Sequence, residues 1–212
     1  MFHKPKAAKR LFFDVIPKTV DEYLTFLAKH PQEELKAKLE NPVWHIHVGD
    51  PPEAELPISF GLLLNLVSVS NAEDKAALWG FIRKYAPGVT PEQHPVLDHL
   101  VGYALAYYRD FVRPQKRYRL PTDVERKALT ALSDALGKAP AGASGEDLQN
   151  IVYEVGKTHQ FDPLRAWFAA LYEVLLGQSQ GPRFGGFIEL YGIENTRKLI
   201  GTALKGELVA AA

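Results

Sequence analysis

Apolar positions recur with a helical period along almost the whole chain. Val20, Tyr23, Leu24 and Leu27 stand at i, i+3, i+4 and i+7, one buried stripe of an amphipathic helix. Residues 57–69 (PISFGLLLNLVSV) are apolar nearly all round and predict a central helix, although the β-branched end leaves a strand open. Asn71 with Asp74 reads as a cap for a helix carrying Leu78, Trp79, Phe81, Ile82 and Tyr85, stopped by Pro87, Gly88 and Pro91. Residues 94–112 continue with Leu97, Leu100, Val101, Ala104, Leu105 and Tyr108. Thr122 and Glu125 form a T-x-x-E capping box for a helix ending near Gly137. Ser144, with Asp147 three residues on, caps the next. Asp162-Pro163 predicts a cap followed by proline at the first helical position, opening a helix through Leu176. A last helix is expected from Glu194 to Leu204.

These patterns predict an all-α fold, a helical bundle built from two regions. Residues 1–136 and 146–212 are those regions, and the small-residue run GKAPAGASG (137–145) is the expected linker. Strand is expected, if anywhere, at 43–48 (VWHIHV), and no internal repeat is visible.

Residues 177–192, GQSQGPRFGGFIELYG, interrupt the helical pattern. There is no GK[ST] ending and no strand-like run before it, so a phosphate-binding loop of that kind is excluded. Gly177 is expected to end the preceding helix, and Gly181-Pro182 to turn the chain. The loop thus presents Arg183 and Phe184, while its glycines permit close approach of a ligand or of another helix.

The 212 residues carry 25 basic and 25 acidic side chains, so bulk charge points to no nucleic-acid partner. The distribution is uneven. In residues 1–18, Lys4, Lys6, Lys9, Arg10 and Lys18 meet only Asp14. In residues 109–119, Arg109, Arg113, Lys116, Arg117 and Arg119 meet only Asp110, and residues 31–60 between them are acidic. The absence of cysteine excludes disulfides and cysteine-based zinc sites, and fits a reducing compartment. No apolar run reaches the ~18 residues of a membrane span, and lysines interrupt any signal-like stretch at the N-terminus. The expected location is the cytoplasm.

Candidate chemistry is sparse. His45 and His47 alternate beside Asp50, but no further ligand recurs at motif spacing, so packed or hydrogen-bonded histidines are expected rather than a metal. No nucleophile–base arrangement is recognisable. Trp79, Trp167, Phe168 and Tyr172 sit at core spacing. Tyr107, Tyr108 and Tyr118 interleave with arginines in YYRDFVRPQKRYRL, a pattern that suits base stacking with phosphate contact or, equally, a helix end with snorkelling basic side chains.

Five segments together, KPKAAKRLFFDVIPKTVDEYL (4–24), NPVWHIH (41–47), LLLNLVSVSNAEDKAALWGFI (62–82), QNIVYEVGK (149–157) and GPRFGGFIELYGIENT (181–196), resemble the C-terminal region of class I lysyl-tRNA synthetases of the bacterial branch. The resemblance runs from Lys4 to about Leu204. It implies a stem-contact region followed by an α-helical cage that receives the tRNA anticodon, with residues 1–136 covering the stem contact and first cage helices and 146–212 the last. The partners implied are the anticodon loop and stem of tRNA(Lys) and an N-terminal catalytic domain that binds ATP. The HIGH-like and KMSKS-like signatures of that domain do not occur here; HIHVG (45–49) only superficially echoes the first. The chain is therefore expected to be a detached region that does not activate lysine alone and holds no cofactor. On this resemblance Arg183 would serve stacking or phosphate contact and Phe184 stacking or pocket shape, with Lys116, Arg117, Tyr118 and Arg119 on a facing wall. A helical scaffold that binds a protein rather than RNA is the alternative.

Overall fold

The computed structural model describes residues 12–52, 56–70, 72 and 74–210. Every regular element among the described residues is helical. The chain divides into two compact units, Met1–Leu56 and Pro57–Ala212.

In the first unit α1 (Ile16–Lys29), α2 (Leu35–Glu40) and α3 (Pro42–Ile46) pack around Leu27 and Val43. The predicted stripe on α1 faces inward: Leu27 is buried and Val20, Tyr23 and Leu24 are half-buried. The possible strand at 43–48 is instead α3 and the turn after it. The cause is local: the Asn41 side chain accepts from the Val43 N–H at 3.0 Å, and Pro42 occupies the first turn, where its missing N–H costs nothing. Buried Asn41 also donates to the Phe26 carbonyl and to Glu33, tying the start of α3 to α1 and to the turn before α2. Of the basic residues in 1–18, Lys4, Lys6, Lys9 and Arg10 lie outside the described residues, as does Asn71.

The second unit begins with α4 (Phe60–Ser70), α5 (Lys75–Tyr85) and α6 (Pro95–Tyr107). The apolar α4 is a buried helix, with Leu63, Leu66 and Val67 fully covered. Asp74 caps α5 by accepting from the Ala77 N–H. Asp98 of α6 receives Lys75 Nζ at 2.6 Å and Trp79 Nε1 at 3.1 Å, closing α5 onto α6. Beyond Tyr107 the chain widens into a π-helical turn (Tyr108–Val112), passes through a 3-10 turn (Arg113–Gln115) and then runs without regular structure as far as Thr122.

Next come α7 (Asp123–Gly137), α8 (Gly145–Thr158), α9 (Arg165–Leu176), α10 (Phe184–Tyr191), α11 (Ile193–Leu204) and the short α12 (Glu207–Ala210). Both predicted capping boxes, Thr122/Glu125 and Ser144/Asp147, are formed in full. One core holds Leu129, Leu132 and Leu136 of α7, Leu148 and Val152 of α8, Trp167 and Leu171 of α9, and Phe187 of α10. The small-residue run 138–144 therefore connects two helices that share that core.

Two expectations need correction. Asp162 does not cap α9: the helix starts at Arg165, with Leu164 in the N-cap position and packed against the core. The second concerns FGGFIELY, which is the helix α10 rather than part of an interruption running from 177 to 192. Two glycines lower its intrinsic propensity, but packing overrides that preference. A Cβ at Gly185 would stand 2.5 Å from the Gln149 nitrogen and closer still to the Gly145 carbonyl oxygen, so only glycine lets α10 approach α8 this closely. The Gly185 N–H donates to Gln149 Oε1 at 2.8 Å across the contact.

Candidate functional site

The glycine-rich loop 177–183 and the basic segment 113–119 lie against each other. α9 ends at Gly177 in the left-handed conformation (φ 65°, ψ 27°), which glycine adopts without a Cβ clash. A Cβ there would also crowd two Tyr118 ring carbons at 3.2 Å. The Arg117 N–H donates to the Gly177 carbonyl at 2.9 Å, so the facing wall expected from the Tyr–Arg pattern meets the loop at its first residue. The far end of the loop is also held: the Tyr172 hydroxyl donates to the Pro182 carbonyl, while the Gln178 N–H donates to the Tyr172 carbonyl. Burial pushes the Tyr172 hydroxyl well above the usual tyrosine range.

The six expected contact residues fall into different environments. Arg183 is exposed, with no ion pair or side-chain hydrogen bond among the described residues. Arg117 is exposed too; its guanidinium donates to the Pro114 and Lys116 carbonyls. Arg113, on the same segment, is likewise exposed. Phe184 is fully buried, edge-on to Tyr172 and tilted against Phe187, so it shapes the core and presents no face to a base. Arg119 turns inward, donating to both Glu125 oxygens at 2.7 and 2.8 Å and to Glu173 at 2.6 Å. The Arg119 hydrogen bonds hold the Glu125 carboxyl below the ordinary glutamate range.

Lys116 also turns inward. Its ammonium donates to the Ser68 carbonyl at 2.8 Å and lies over the rings of Tyr118 (4.8 Å) and Tyr108 (5.6 Å). Desolvation lowers its pKa to about 8, and burial raises the Tyr118 hydroxyl to about 12. Ser68 and Gln178 do not stand out in the sequence pattern, yet Gln178 Nε2 donates to Ser68 Oγ at 3.0 Å and joins the loop to α4. The available signal is Asn65 and Ser68 within the otherwise apolar run 62–69.

The histidines of the first unit are engaged locally: His45 Nε2 with the Leu39 carbonyl and His47 Nε2 with the Tyr23 hydroxyl, both at 2.8 Å. No group of three or more metal-ligating side chains occurs among the described residues. No helix among them is long and apolar enough to cross a membrane.

No protein-family model matches the chain. A lysine–tRNA ligase of Roseobacter denitrificans is 54% identical over 210 residues, covering 99% of this chain. The chain is similar to a portion of a lysine–tRNA ligase. Lysine–tRNA ligases of Rickettsia felis and Rickettsia conorii are 48% and 47% identical over 202 residues, 94% of the chain. The chain spans 40% of the length of the Roseobacter ligase and 38% and 39% of the Rickettsia ligases.

Proposed function

We propose that this chain is the tRNA-binding, anticodon-contacting region of a class I lysine–tRNA ligase. In this reading residues 1–136 supply the stem contact and first cage helices, and residues 146–212 complete the anticodon cage. ATP-dependent attachment of lysine to tRNA(Lys) belongs to the whole cytoplasmic ligase, through a catalytic domain outside this chain. The chain itself contributes binding rather than the reaction.

The observation that carries the reading is that the glycine loop meets the 113–119 segment through the Arg117 N–H and Gly177 carbonyl while Arg183, Arg117 and Arg113 stay exposed. Proteins read RNA chiefly at single-stranded loops, whose splayed bases stack on aromatics or guanidinium planes. With Phe184 buried, stacking here falls to the arginines, and one face of Tyr118 is already covered by Lys116. A stacked base contributes ~1–3 kcal/mol, so these residues alone give weak, strongly salt-dependent binding.

Fluorescence anisotropy with a lysine anticodon stem-loop at several salt concentrations tests the proposal. Arg183→Ala and a changed middle anticodon base are each expected to weaken binding about tenfold, the lower end of that stacking range. Binding indifferent to both changes would overturn the assignment of these residues.

A further inference from the structure

We infer that Lys116 is a positioning residue that fastens the arginine-bearing segment 113–119 and the glycine loop 177–183 to one point on α4, rather than a residue that touches RNA. The inference deepens the RNA-binding reading and rests on it only for its effect on affinity.

Three bonds converge at this point. The last-turn carbonyls of a helix have no intrahelical partner and carry partial negative charge, which favours a cation. Ser68 lies in the last turn of α4, and its carbonyl receives Lys116 Nζ. The hydroxyl of the same serine receives Gln178 from the loop, and the Arg117 N–H reaches the Gly177 carbonyl beside it. Tyr108 and Tyr118 cover the ammonium with their rings, so it is committed inward. Arg119 fixes the other side of the segment on Glu125 and Glu173. Arg117 stands between these two inward-facing cations and is the one of the three left exposed. Burying an ammonium is unfavourable, as the lowered pKa of Lys116 records, whereas an apolar side chain would fill the site without that cost. A lysine here is thus accounted for by placement rather than by stability.

The test uses the 212-residue chain with Lys116→Met and Lys116→Arg. Amide hydrogen exchange without RNA is read at Arg117 and 177–183, with α8 as an internal control, and stem-loop affinity is read alongside. The methionine variant is expected to exchange about tenfold faster at those amides and to bind the stem-loop about tenfold more weakly, with α8 unchanged; arginine restores both. Lys116→Gln, a donor without the charge, replaces methionine if that variant does not fold. Unchanged exchange in the neutral variant overturns the inference, even where affinity falls, because Lys116 would then be a direct phosphate contact. Faster exchange in a protein whose wild type binds no stem-loop supports the clamp and removes the RNA-binding reading.

Discussion

Gly185 and Arg119 show how single positions set the geometry behind the candidate site. At Gly185 any side chain meets the backbone of α8, so Gly185→Ala must push α10 away from α8 or strain both helices. Overpacking of this kind costs about 1–3 kcal/mol, and urea unfolding should show that loss with little change in slope. Arg119 pairs with Glu125, whose side chain is 11% exposed, while its own is 37% exposed. Removing the guanidinium leaves a poorly solvated carboxylate, so Arg119→Ala is expected to cost about 1–2 kcal/mol at pH 7 after allowing for partial exposure. The sign with pH follows from the lowered Glu125 pKa. Its contribution is fully present above the ordinary glutamate value of about 4.3 and is lost as pH falls through the lower folded value. Unfolding free energies of wild type and Arg119→Ala should therefore converge in acid; a gap that stays constant down to pH 3 would remove this account of the pair.

Whole helices are legible in the sequence where their signals are local. Both capping boxes lie within four residues, each side chain satisfying a backbone N–H that the helix start leaves open. Thr122→Ala should accordingly cost about 1 kcal/mol, measurable as a lower urea midpoint. The stop at Gly177 was legible for the same reason, since a left-handed residue there needs no distant partner. Elements that depend on remote contacts were not legible. α10 contains two adjacent glycines and forms because the first of them, Gly185, packs directly on the backbone of α8. α9 starts after Leu164, not at the Asp-Pro pair, because Leu164 packs on the core. At α3 the β-branched and histidine-rich run suggested extension, yet an asparagine cap and a proline outweighed it.

On the scale of the molecule, the unit Pro57–Ala212 carries a buried core of its own, from Leu63 and Leu66 of α4 to Ile200 of α11. A polypeptide of residues 57–212 is expected to fold alone, retaining its helical circular dichroism and a single cooperative melt; a gradual, uncooperative loss of ellipticity would show that its core is insufficient. The even balance of 25 basic and 25 acidic residues hides an uneven placement of the cations. Cations on the 113–119 segment divide by direction: Lys116 and Arg119 are engaged inside, and Arg113 and Arg117 remain at the surface.

Helical class, most helix bounds and the two capping boxes follow from residues close together in the chain, because capping, periodicity and glycine stops act within one or two turns. The direction of each charged or aromatic side chain does not. Arg117 and Arg119 are two residues apart and chemically alike, yet one faces solvent and the other two carboxylates on α7 and α9. Phe184 adjoins exposed Arg183 but is sealed against Tyr172, and Lys116 finds its acceptor on a helix 48 residues earlier. Such choices depend on which distant partner packing brings within hydrogen-bond or van der Waals reach, and that partner exists only once the helices have come together.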